Sequence, residues 1–479
     1  MIPNKKINIV HVLSLCFVLV YLPIIGQNRV LNDSILSIEE LFMSVKNFHP
    51  LAVQANIQNS IADAEFLKAK GGFDPIYKSN LQQKNFEHKE YYSILSSELK
   101  IPTWPGIDIK SGYEQNRGVY LSPENTTPGG GLFYAGLSLS LGQGLFIDER
   151  RTGLKNAEIL QKSAQARQTD LINELLFTAS ISYWDWFRAY NVLEIYRTSL
   201  RNAQERFAGV KYNVTSGDRP TIDTVEAKIQ IQNILLGLNQ ANLDFRNTTT
   251  ILSGYLWDED NTNTGLPKEM KPNLSENELQ LPENQDMGNE LSQFISDHPY
   301  LEQLRQKTQQ LHVEMRLKKD KLKPIVQLQY NPLSEVVGSN VFSSVSLNNY
   351  KWGMEFKMPL FLRKERGDVK ITDFKIKENE LILASKSQEL FNKYQTYYNE
   401  WLATLEQLDL FEETLILYEQ MFFAEKRLFE IGESSLFIVN AREQSYINAK
   451  IKYTELVAKN KISYYSLYYF AGKLSVLTN

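Results

Sequence analysis

Cysteine is almost missing from this chain: 479 residues contain one, Cys16. It lies in an N-terminal apolar stretch that reads as an export signal, so the mature protein would have none. Disulfides, thiolate metal sites and thiol catalysis are thereby excluded. After that stretch no run approaches about 18 uninterrupted apolar residues, so no transmembrane helix is expected. Blocks of Lys or Arg are missing too. The 52 basic and 56 acidic residues give a net charge of −4 and no footprint for nucleic acid. Catalytic signatures are equally scarce, with no His-x-x-x-His, Gly-x-Ser-x-Gly or phosphate-binding loop. The mature histidines are His49, His88, His298 and His312, two of which precede proline in a turn role. Neither enzyme activity nor a metal or cofactor is expected.

The signal is assigned to residues 1–26. Lys5 and Lys6 precede an apolar stretch from Ile7 to Ile25, and Pro23 and Gly26 suit a cleavage region. An uncleaved membrane anchor is the competing reading, because the stretch is long for a signal core. Leu15 stands before Cys16 where lipoprotein processing would need a small residue, so no lipid anchor is expected. Removing 1–26 takes away two lysines and no acids, which brings the charge from −4 to −6. If the exported chain enters a membrane, it must do so as strands.

What the chain does have is a repeat. "FHPLAVQANIQNSIADAEFLKAKGGFDPIYKSNLQ" (48–82) aligns with "DHPYLEQLRQKTQQLHVEMRLKKDKLKPIVQLQYN" (297–331), with His49-Pro50 on His298-Pro299 and Pro75 on Pro324. Both offsets are 249 residues. Each copy is a turn, a helical stretch, a proline and an alternating segment. "LSLSLGQGLFIDERR" (137–151) likewise matches "MEFKMPLFLRKER" (354–366). Segment 257–290 is polar with little periodicity and reads as a linker between repeats 27–256 and 291–479.

Long rods follow the strands. Fifty-five residues without Gly or Pro separate Gly153 from Gly209, and sixty-four separate Gly367 from Gly432. At about 1.5 Å per residue such helices run roughly 80–95 Å. Tyr394, Tyr398, Trp401, Leu405, Leu408, Phe411, Leu415, Tyr418 and Phe422 recur every 3.5 residues, the coiled-coil period. Long helices are expected at about 149–212 and 365–431, with tips at about 213–220 and 432–436 and a return helix after each. Gly217 and Gly432 suit left-handed caps. The aromatic run 464–470 fits either a membrane-interface belt or packing of the last helix.

The strands, at about 76–142 and 325–360, alternate apolar and polar residues with period two. Leu137, Leu139 and Leu141 oppose serines, and Trp352, Met354, Phe356 and Met358 oppose Lys351, Gly353, Glu355 and Lys357. A soluble sheet with one wet face gives the same alternation. Direct fusion to rods and the lack of a domain-sized core favour lipid on the apolar face and water on the other. Two strands are expected in each half, four per chain, too few to close a barrel. Several chains would have to contribute.

With its duplicated helix–strand–strand–helix order and its two tips, "SGDRPTIDTVEA" and "RLFEIGESSLFIVNA", the chain resembles the TolC-like outer membrane efflux protein family over essentially its whole mature length. The resemblance implies an α+β membrane protein. Its homotrimer would form a twelve-stranded outer-membrane β-barrel continuing into a long periplasmic α-helical coiled-coil barrel. The implied partners are outer-membrane lipid, a periplasmic adaptor (membrane fusion protein) and an inner-membrane RND or ABC pump. By position Gly217, Asp218, Arg219, Gly432, Glu433 and Ser434 fall at the adaptor-docking tips, and Asp223 and Glu226 match aperture acids. Dipole-favoured acids in a first helical turn are the plainer account of those two. The second tip departs: Ile438 and Ala441 stand where acids are common, with Glu433 and Glu443 nearby. Phe429 and Ser434 replace a tyrosine and an arginine. An apolar plug around Ile438 is one way to close such an aperture. The expected function is an exit duct; a periplasmic coiled-coil scaffold without a pore is the alternative. An ordinary porin is disfavoured, since porins have short periplasmic turns.

Overall fold

The computed structural model describes residues 35–267, 269–273, 293–335 and 348–478. The expected signal, 1–26, and most of the expected linker lie outside those residues.

Both repeats open with the same local device. His49 caps α2 (Pro50–Lys70) and His298 caps α5 (Pro299–Asp320), each accepting at Nδ1 from the backbone N–H two residues on, at 3.2 and 3.1 Å. Proline at the first helical position needs no donor there. Ahead of α2, α1 (Ile38–Phe48) begins with a capping box between Ser37 and Glu40.

After α2 come β1 (Ile76–Phe86), β2 (Lys89–Pro102), β3 (Ile107–Arg117) and β4 (Leu132–Ser140). After α5 come β5 (Ile325–Glu335) and β6 (Tyr350–Lys357). All six pair antiparallel in chain order, β1-β2-β3-β4-β5-β6. The expectation of two strands per half is therefore corrected, because the first repeat has four. The extra hairpin turns at Glu87 and His88, both with positive φ (50° and 62°), as a tight twisted turn requires. β1 carries only Tyr77 and Leu81 between its ends on its apolar face, so its alternation is faint in the sequence.

The rods are α3 (Glu149–Thr215) and α6 (Arg363–Glu430), of 67 and 68 residues, roughly 100 Å each. Each returns by a shorter helix, α4 (Ile222–Ser253) and α7 (Leu436–Phe470). Next to the sheet the helices lie side by side as α2-α3-α5-α6. Further from it α4 packs on α3, and α7 packs on both rods. The main core sits midway along the rods, where Tyr183, Trp184 and Trp186 of α3 meet Leu41 and Phe42 of α1, Leu252 of α4, Leu408 of α6 and Tyr465 of α7. Ile35–Leu36 pairs parallel with Lys271–Pro272, and Met270 is buried in this core. The start of the expected linker is thus built into the body.

The 3.5-residue stripe of α6 behaves as a seam: Tyr394, Trp401, Leu408 and Phe422 are buried and the residues between them pack partly covered. The aromatic run on α7 is packing. Tyr469 stacks on Phe177 at 4.2 Å and Phe470 on Tyr397 at 5.3 Å.

Candidate functional site

Register assigns every strand residue to one of two sheet faces. Tyr77 pairs with Leu99, Ile101 with Ile109, Ile109 with Leu137, Leu137 with Tyr330 and Tyr330 with Trp352. A second row runs through Ile107, Leu139, Leu328 and Met354, and Val326 meets Phe356. One apolar face thus crosses all six strands. Nothing among the described residues covers it: Trp352, Met354 and Phe356 are 60–62% exposed and Leu137 is 52% exposed. Leu141 and Met358 lie one residue past their strands, and the Leu141 N–H still bonds the Val326 carbonyl at 2.8 Å.

The opposite face is polar and cross-linked. Lys100 pairs with Asp108 at 2.8 Å, and Tyr134 donates to Glu98 at 2.8 Å. Gln327 donates to Ser138 at 3.0 Å, and Lys110 to Gln329 at 3.4 Å. Gly112 makes room for Tyr134, whose ring a Cβ there would meet at 2.4 Å.

Where sheet becomes rod, charged groups form a collar. Asp148 caps α3 by accepting from the Arg151 N–H at 2.8 Å. Those bonds and the neighbouring arginines outweigh burial and hold its carboxyl below the usual range. Arg150 reaches Asp108 at 3.2 Å and Lys321 reaches Glu149 at 2.7 Å. Buried Asp320 accepts from the Gly144 N–H at 2.7 Å and from Lys323 at 2.6 Å, joining the two repeats.

At the far end the two tips are built alike. Gly217 and Gly432 both have φ of 82°. Around each the N–H after the glycine bonds five residues back, Asp218 to Asn213 and Glu433 to Leu428, both at 2.9 Å. The glycine N–H itself bonds Val214 in one tip and Phe429 in the other, the Schellman pattern. An ideal Cβ on either glycine would meet nothing within 4 Å. Backbone conformation is what demands glycine there.

Their side chains differ. Arg219 leaves the first tip and donates to the Phe429 carbonyl at 2.9 Å, with its guanidinium 3.8 Å from the Phe429 ring centroid. Asp223 holds it from behind at 3.5 Å. Glu226 accepts from Asn440 at 3.4 Å, while Ser434 donates to Glu425. Asp218 and Glu433 are exposed, and Ile438 is 39% exposed. Glu443 is 2% exposed and forks onto Arg206, with Gln230 at 3.4 Å, so it faces the helix interior. That Arg206–Glu443–Gln230 cluster, contributed by α3, α7 and α4, had no signal in the sequence because its members are 213 and 237 residues apart.

An antiparallel sheet fused to long paired rods is the fold that this chain shares with solved outer-membrane channels. Residues 291–473, almost all of the second repeat, match the family model described as outer membrane efflux protein. Similar solved structures include CusC, with 15% identity over 91% of each chain and a TM-score of 0.63. The open-state MtrE channel of Neisseria gonorrhoeae shares 12% over 91% of this chain and 89% of its own, with a TM-score of 0.64. VceC of Vibrio cholerae shares 12% over 91% and 96%, with a TM-score of 0.63. At these identities the likeness is one of fold. No curated protein sequence matches the chain.

Proposed function

We propose that three copies of this chain form the exit duct of a tripartite efflux or type I secretion system. The duct is passive. A periplasmic adaptor docks on the tips around Gly217 and Gly432, and an inner-membrane pump of the RND or ABC class drives cargo through. The carrying observation is the sheet with one uncovered apolar face, in register across every strand and fused to rods roughly 100 Å long. Lipid satisfies such a face only if the backbone edges are also paired, and neighbouring copies supply those edges. Leu137, Leu139, Leu141, Trp352, Met354, Phe356 and Met358 then meet lipid, and the lysine-bearing face lines water. Exposed Leu381 and Phe374 on α6, and Ile57 and Ile61 on α2, lie on the two outer helices of the layer, where adjacent copies would meet.

Closure at the tips rests on Arg219. Its clasp on Phe429 ties the α3–α4 tip to α6, and Asp223 orients it. Asp223 and Glu226 thus act by holding tips together, with Ile438 as the exposed apolar contact near the axis. The test is conductance of the purified protein in planar bilayers, with and without Arg219→Ala. Small, rare openings that enlarge severalfold in the variant support the duct. A folded trimer silent in both forms supports the scaffold instead.

A further inference from the structure

From the six-stranded sheet we infer that the wall closes with eighteen strands, β6 of each copy pairing antiparallel with β1 of the next. This rests on the duct reading and changes its dimension: the resemblance implies twelve strands, four per chain, whereas this chain has six.

Three observations put the β1–β2 hairpin in the wall rather than inside or beside it. Its faces continue those of the sheet. Tyr77, Leu81, Leu95 and Leu99 fall on the apolar side, and Lys78, Glu98 and Lys100 on the polar side. A hairpin folded into the lumen as a plug would place those apolar residues in water. Its lower end also enters the same collar as the other strands. Lys100 and Arg150 share Asp108, and the β2–β3 turn residue Trp104 lies 5.6 Å from Phe73 at the end of α2. Its edge, finally, is open. Among the described residues β1 and β6 are the two unpaired margins of the sheet, 11 and 8 residues long, and they run in opposite directions because the count between them is even. An unpaired edge is not tolerated in lipid, and one neighbour's margin satisfies the other's.

Width agrees. Strands about 4.8 Å apart and tilted about 40° occupy roughly 6.3 Å each around a barrel, so six cover roughly 38 Å. The layer α2-α3-α5-α6 beneath them covers roughly 32–40 Å at 8–10 Å per helix. Four strands would cover only about 25 Å of it. Eighteen strands give a backbone diameter of about 36 Å against about 24 Å for twelve, and about twice the cross-section.

Disulfide trapping in outer membranes tests this. The only native cysteine, Cys16, can be replaced by Ser without touching the described residues. Single cysteines at Tyr77, Ser79 and Leu81 of β1, or at Ser111 and Tyr113 of β3, are each combined with Trp352→Cys or Met354→Cys on β6. Intersubunit trimer bands from the β1 set, with none from the β3 set, are expected, together with a wall about 36 Å across in electron micrographs of the cysteine-free protein. Bands from the β3 set, or a wall about 24 Å across, overturn the eighteen-strand closure while leaving a trimeric duct intact. A cysteine-free protein that is monomeric without detergent removes both.

Discussion

The two repeats share a frame and differ in what hangs from it. Both start with a His cap and a first-turn proline, both send out a rod of nearly equal length, and both reverse at a glycine with the same φ and the same pair of backbone bonds. Yet the first carries four strands and an arginine-bearing tip, and the second two strands and a tip, 432–436, that has Glu433 and Ser434 but no arginine. Features fixed by backbone chemistry were kept in both copies. Strand number and tip side chains were free to change, because a hairpin inserted at a strand edge disturbs no helix contact.

The comparison can be broken most severely where the repeats meet. Arg206→Ala leaves the Glu443 carboxylate buried without its cation, and is expected to destabilise the helical body by about 3–5 kcal/mol. Urea unfolding followed by circular dichroism measures this. A loss under about 1 kcal/mol would mean the pair is hydrated in solution.

The shared caps predict a pH effect of unequal size. Burial depresses the His298 pKa to about 4, opposed by the Tyr469 backbone, and lowers that of His49 by the same cause. A histidine whose folded pKa lies below its unfolded value stabilises the native state above the unfolded pKa. The unfolded chain binds the proton first as pH falls, so stability drops between about 6.5 and about 4, by about 3 kcal/mol for His298. His298→Asn keeps a capping side chain and should flatten that part of the stability profile; an unchanged slope would assign it to other groups.

The tips should be equal in one respect and unequal in another. Gly217→Ala and Gly432→Ala should each cost about 1–2 kcal/mol, since a non-glycine residue at positive φ is strained and no steric term differs between them. Melting temperatures that diverge between the two variants would break the symmetry. Arg219→Ala touches one tip only, and is expected to cost about 1 kcal/mol through the lost carbonyl bond and ring contact. Its larger signature is easier opening. An equal gain on Ser434→Ala, at the other tip, would show that the clasp is not the closing element.

The frame was legible because its signals are local. Prolines, glycines and uninterrupted helical runs fixed the rods, tips and repeat offset of 249 residues. Trp352, Met354 and Phe356 announced β6 through strict alternation. The β1–β2 hairpin was hidden because β1 faces its neighbours mainly with Lys, Ser, Asn and Gln, and its turn, Glu87-His88, uses no glycine or asparagine. The Arg219–Phe429 clasp and the Arg206–Glu443 fork were hidden for another reason. Each joins residues more than 200 positions apart, and only the packing of α3 and α4 on α6 and α7 brings them together.

The most direct measurement is the native mass of the protein extracted from membranes. Three mature chains in one detergent-bound particle, insoluble once detergent is removed, is the predicted result. A single chain that stays in solution without detergent would contradict the account, because its sheet would then carry an apolar face and two bare edges with nothing to cover them.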